Sequence, residues 1–117
     1  MEPDSILTVT GKDLPGGSTV LTAVGEIDRD SSPVLREAAG EAVRRGHRKL
    51  ILDLTKVTFC DSSGLSLFVD LHRQAGANGG WLRMVAPQAD LRSMLRVTHL
   101  DQLFALYDTV VEAAAES

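Results

Sequence analysis

The sequence predicts an α/β fold: a mixed, mainly parallel sheet of four to five strands with about four helices, opened by an N-terminal hairpin. Three observations carry this. After residue 30, helical apolar patterns alternate with short β-branched or apolar runs, the order that builds a parallel sheet through crossover helices. Before residue 30, two such runs are joined only by the turn-rich segment GKDLPGGS at 11–18, so they can pair directly as a hairpin. The 117 residues, 44% hydrophobic and 24% charged, contain no repeat, low-complexity tract or interdomain linker. That suffices for one core, and a single domain over 1–117 is expected.

The elements follow in order. The first strand is expected over residues 6–10 (ILTVT) and the second over 19–25 (TVLTAVG). A short acidic corner, EIDRD at 26–30, comes next. Ser32 followed by Pro33 predicts a helix start: serine accepts free amide hydrogens, and proline suits the first helical position. Val34, Leu35, Ala38, Ala39, Ala42 and Val43 keep helical spacing. Arg44 and Arg45 complement the helix dipole, and Gly46 ends the run. KLILDL at 49–54 is a compact strand, and VTFC at 57–60 reads as a strand end. The next helix is expected over 63–75, stopped by GANGG, and WLRMVA at 81–86 is a further strand. Pro87 opens a helix whose Leu91, Met94 and Leu95 share a core-facing side, while Asp90, Arg92 and Arg96 form a solvated face. LFALY at 103–107 is a last short strand, and Thr109 with Glu112 forms a capping box for a C-terminal helix.

Charge and composition exclude several functions. Sixteen acids against 12 bases give a net charge of −4, which argues against nucleic acid and against an anionic membrane surface as partners. Aromatic residues make up only 4%, little material for stacking bases. No apolar run approaches the roughly 20 residues that span a bilayer. The start, MEPDSILTVTG, lacks a basic, then apolar, leader. A cytoplasmic location is expected. Cys60 is the single cysteine, so it forms no internal disulfide and builds no thiolate zinc site; it is expected to be a small buried side chain. His47, His72 and His99 show no metal-ligand spacing, and His72 lies on the apolar side of its helix as a packed histidine. Neither a Gly-rich phosphate loop nor a G-x-S-x-G elbow is present. No metal, no cofactor and no enzymatic activity are expected.

The informative segment is DSSG at 61–64, where a strand turns into a helix. Leu65, Leu67, Phe68, Val69, Leu71 and Ala75 fall on one arc of that helix, with Ser66, Asp70, Arg73 and Gln74 opposite. Extrapolated backward, Ser63 lies with the polar side and Gly64 with the buried one. A buried glycine lets the helix start pass close to the strand that feeds it. Asp61 and Ser62 are both good N-caps, so the segment can be a cap and nothing more. The same geometry suits a phosphorylation switch: a helix N-terminus tolerates an added phosphate, which brings about −1.5 to −2 charges and three acceptor oxygens.

VTFCDSSG at 57–64 resembles the phosphorylation-site signature of the anti-sigma factor antagonists of the STAS domain family. GEID at 25–28 is similar to that family's acidic turn after its second strand. LRVTHLDQLF at 95–104, followed by Tyr107 and Asp108, is similar to its C-terminal pattern. The resemblance covers nearly the whole chain and implies a STAS-like fold with the element order read above. Cys60 departs from it, standing where a larger apolar residue is common.

The resemblance implies partner switching. The unphosphorylated antagonist binds an anti-sigma factor, itself an ATP-dependent serine kinase, and frees a sigma factor; phosphorylation releases it, and a serine phosphatase resets it. ATP then belongs to the partner. Carried over, Ser62 is the phosphorylation site, and Asp28, Asp61, Ser62, Ser63 and Gly64 border the partner-binding surface. Two other readings remain. One is a STAS subunit that docks in a larger assembly without being phosphorylated. The other is a hydrolase using Ser62, which lacks an elbow and an oxyanion loop.

Overall fold

In a computed structural model, which describes residues 6–115, the chain forms five strands and four helices around one sheet. The outermost residues of the expected 1–117 unit, 1–5 and 116–117, lie outside the described residues. β1 (Leu7–Asp13) and β2 (Ser18–Ile27) pair antiparallel, as the turn-rich loop requires. β3 (Lys49–Cys60), β4 (Trp81–Val85) and β5 (Ala105–Tyr107) then add in parallel, giving the order β1-β2-β3-β4-β5. α1 (Ser32–Arg44), α2 (Ser62–Ala77) and α3 (Ala89–Val97) make the crossovers, and α4 (Val110–Ala115) follows β5.

The central strand explains the layering. Leu50, Leu52 and Leu54 of β3 face the large core built with Leu35, Phe68, Leu71 and Leu95 of the crossover helices. Ile51, pointing the other way, packs with Val20, Val85 and Ala113 under α4. A strand buried on both faces reads as a continuous apolar run, hence LILDL. Each fully buried leucine contributes about 1.5–3 kcal/mol relative to exposure.

Several boundaries differ from the sequence expectation. β3 runs to Cys60, past Leu54, because its pairing with β2 shifts register twice, between Thr22 and Val24 and between Gly25 and Glu26. Each shift adds a residue to β3 and breaks the strict alternation. α1 is not capped by Ser32, whose hydroxyl instead donates to the Arg29 carbonyl. The N-cap position is Ser31, which is buried, and its side chain turns back into the preceding loop. Val34 is exposed rather than part of the α1 core face. α3 begins at Ala89, after Gln88 in extended conformation, not at Pro87. A 3₁₀ turn, Leu100–Gln102, precedes β5, so Leu103 and Phe104 fall outside the strand, and Phe104 packs edge-on against Phe68. At α4, Thr109 accepts from the Glu112 N–H at 3.1 Å as the capping box requires, but Glu112 reaches Asp108 N instead of Thr109 N.

Candidate functional site

The carboxyl end of β3 delivers the DSSG corner. Asp61 is extended (φ −102°, ψ −171°) and caps α2 with one oxygen, which accepts from Ser63 N at 2.9 Å and Gly64 N at 3.3 Å. Its own N–H donates to the Ile27 carbonyl at 3.1 Å. The corner is therefore tied to the last residue of β2, and Ile27 pairs with Cys60 in register. Two motifs more than 30 residues apart, GEID and DSSG, meet here.

Asp28 follows directly. It exchanges hydrogen bonds with Ser31: the Ser31 N–H donates to its carboxylate at 2.9 Å, and the Asp28 N–H donates to the Ser31 hydroxyl at 2.9 Å. That hydroxyl also donates to the Glu26 carbonyl at 2.9 Å. The bonds from Ser31, first its N–H and then its hydroxyl, hold the Asp28 carboxyl below its ordinary value. Ser31 was not singled out from the sequence. The Asp-x-x-Ser spacing at 28 and 31 is the signal that could have found it.

Gly64 is buried as expected from helical phase, and a Cβ there would overlap Cys60 Sγ and Ile27 Cγ2. Cys60 is buried, and burial, with the neighbouring Asp61 charge, pushes its thiol up to about 12. Ser63 is half-buried and Ser62 exposed. Among the described residues the Ser62 hydroxyl makes no hydrogen bond. Capping is thus done by Asp61, and the Ser62 side chain has no hydrogen-bond partner among the described residues.

A cleft of about 310 Å³ opens beside the corner, between Phe59 and Cys60 on one side and Gln88, Asp90, Leu91 and Met94 of the α3 start on the other. Phe59 is 50% exposed although it is large and apolar. Sequence reasoning passed over it, because alternation puts Phe59 on the same face as buried Val57 and only the register shift between Gly25 and Glu26 turns it outward. Leu91 and Leu95 are core residues as expected, while Met94 is half-buried and lines the cleft. His72 sits away from the corner, half-buried and edge-on to Phe104 at 5.7 Å. Among the described residues, no group of acidic, histidine or cysteine side chains could hold a metal ion, and no helix is long and apolar enough to cross a membrane.

With this geometry in place, the likenesses to known proteins are specific. Residues 9–113 match the STAS domain family model. The chain is 35% identical over 111 residues to the anti-sigma-F factor antagonist RsfB of Mycobacterium tuberculosis, covering 95% of this chain and 88% of the relative. It is 27% identical over 101 residues to an anti-sigma F factor antagonist of Paenibacillus polymyxa, covering 86% of each. Among solved structures, an anti-sigma factor antagonist from Mycobacterium paratuberculosis superposes with a TM-score of 0.84 at 30% identity, over 98% of this chain and 97% of that one. Unphosphorylated SpoIIAA shares the fold, with a TM-score of 0.78 at 21% identity over 91% and 92% of the two chains. The family match spans most of the chain, the fold superposes on solved antagonists over nearly its whole length, and the chain belongs to the STAS domain family.

Proposed function

We propose that the chain is an anti-sigma factor antagonist working by partner switching. Unphosphorylated, it binds an anti-sigma factor serine kinase and frees a sigma factor; phosphorylated on Ser62 by that kinase, it is released, and a serine phosphatase restores it. ATP is the kinase's cofactor. The observation that carries this reading is the division of labour at the corner: Asp61 alone caps α2, leaving the Ser62 hydroxyl exposed and unengaged. The names of the relatives support the same reading.

Asp28, Asp61, Ser63 and Gly64 border the docking surface, and half-exposed Phe59 supplies its apolar contact. Phosphate at Ser62 places about −1.5 to −2 charges beside Asp61 and Asp28, on a surface that accommodated a bare hydroxyl. Like-charge crowding and the desolvation cost of a dianion then oppose docking.

The test is to incubate the purified protein with the serine kinases of its own genome and ATP, map phosphate by mass spectrometry, and measure binding calorimetrically. Phosphate on Ser62 from one kinase, with binding lost by the authentic phosphoprotein, is the expected result. Undiminished binding of the Ser62 phosphoprotein would sink the switch. A stable complex without phosphorylation would instead identify a docking subunit.

A further inference from the structure

We propose that a glycine-walled cavity at the opposite pole of the sheet, with Arg48 and Lys49 as its cationic arms, binds a small phosphomonoester. The cavity, about 190 Å³, lies where the β1–β2, α1–β3 and α2–β4 turns converge, and it is lined by Gly16, Gly17, Gly46, Arg48, Lys49 and Gly79. The glycines all have positive φ, 95°, 92°, 87° and 80° in chain order. A Cβ at Gly16, Gly17 or Gly46 would meet nothing within 4 Å. At these three glycines the wall is bare backbone facing open space. Among the described residues the Gly16 N–H makes no hydrogen bond.

Charge distinguishes this cavity from an ordinary turn cluster. The segment RRGHRK at 44–49 gathers four of the 12 Lys and Arg residues of a chain whose net charge is −4. Arg44 is matched by Glu41 at 3.0 Å, and Arg45 and His47 share Asp13 at 3.0 and 3.6 Å. Arg48 and Lys49 have no carboxylate partner among the described residues. One nitrogen of Arg48 donates to the Asn78 carbonyl at 3.0 Å, which holds the guanidinium while leaving further N–H groups free. Lys49 is half-buried, and its ammonium makes no hydrogen bond among the described residues.

A planar fork and a point cation around one concavity suit a phosphate dianion. The concave shape, only two unmatched cations and the acidic whole favour a small ligand over a polyanion or an anionic membrane surface. Ser62 lies beyond the other end of β3, a strand spanning roughly 35 Å at ~3.3 Å per residue, so a phosphate on Ser62 of the same molecule does not reach this site. The proposal is independent of the switching mechanism.

The test is an amide NMR titration of the full chain with glycerol phosphate and with inorganic phosphate, against sodium chloride at matched ionic strength. Saturable shifts at Gly16, Gly17, Gly46 and Gly79, absent with chloride, are expected. In R48Q/K49Q, whose native spectrum elsewhere serves as the fold control, affinity should fall at least about tenfold, the equivalent of losing one charge-assisted contact. Shifts that match those of chloride, or that persist undiminished in R48Q/K49Q, overturn the proposal. So does retention on phosphatidic acid vesicles without binding of either soluble phosphate, which would assign the cavity to a lipid surface.

Discussion

At Gly64 one missing methyl group decides whether the corner can form. Glycine inside a helix is ordinarily worse than alanine by roughly 0.5–1 kcal/mol, so G64A would stabilise an unconstrained helix. Here the added Cβ meets Cys60 Sγ and Ile27 Cγ2, and overpacking of that kind costs about 1–3 kcal/mol. A lower urea midpoint for G64A is expected, and a higher one would contradict the contact. D61A should cost about 1 kcal/mol, as loss of an N-cap does, whereas S62A should stay within about 0.5 kcal/mol of the parent. A comparable loss for S62A would show that Ser62 shares the capping work. The Gly64 position was legible because helical phase alone puts it on the buried side. Its close approach to the end of the feeding strand, at Cys60, was legible as well; the contact with Ile27 was not, since Ile27 reaches the corner only through the pairing of β2 with β3. Cys60 thiol, buried and raised to about 12, should resist a thiol-specific reagent at neutral pH until the protein unfolds; rapid stoichiometric labelling of the native protein would refute that.

Helix α1 carries the acid sensitivity of the fold, because both its ends are fastened by aspartates. Before its start, Asp28 is held by Ser31. At its end, Asp13 of β1 is held low first by Thr19 and then by Arg45, just past the last turn. A carboxyl depressed in the folded state contributes stability that is fully present above its unfolded value and is lost as pH falls through the folded one. The melting temperature should therefore decline below about pH 4, and D28N should be less stable than the parent at neutral pH but converge with it in acid. A constant difference between the two at every pH would show that Asp28 acts by shape rather than charge. Periodicity found α1 itself. It misplaced the cap at Ser32 because Pro33 was read as the first helical residue; Pro33 is the second, and Ser31, bonded to the Glu26 carbonyl, holds the N-cap position. β3 was legible to Leu54, and its continuation to Cys60 was visible only as an isolated strand end: register shifts broke the alternation on which the reading depended.

Over the whole molecule, stability should be graded outward from β3. That strand is paired on both edges and buried on both faces. β1 has a partner on one edge only, β5 has three residues, and α4 has six. α4 is fastened to the sheet through Ala113, whose carbonyl accepts from Arg83 at 2.7 Å while that guanidinium lies 3.7 Å from the Trp81 ring centre. Native-state amide exchange should be slowest at Leu50, Ile51 and Leu52 and fastest in β1, β5 and α4, since local opening spans the range up to global unfolding. The gradient bears on how a phosphate at Ser62 would act. Ser62 begins α2 just beyond the most protected strand, and a helix N-terminus accommodates an anion, so phosphorylation should leave exchange in β3 and the α2 interior unchanged and alter only amides near the corner. Release would then come from the docking surface itself, through charge and bulk. If phosphorylation instead raised exchange along β3, release would operate through the fold, and S62D, carrying less charge and fewer acceptors than phosphate, should reproduce part of that loosening as well as part of the lost binding.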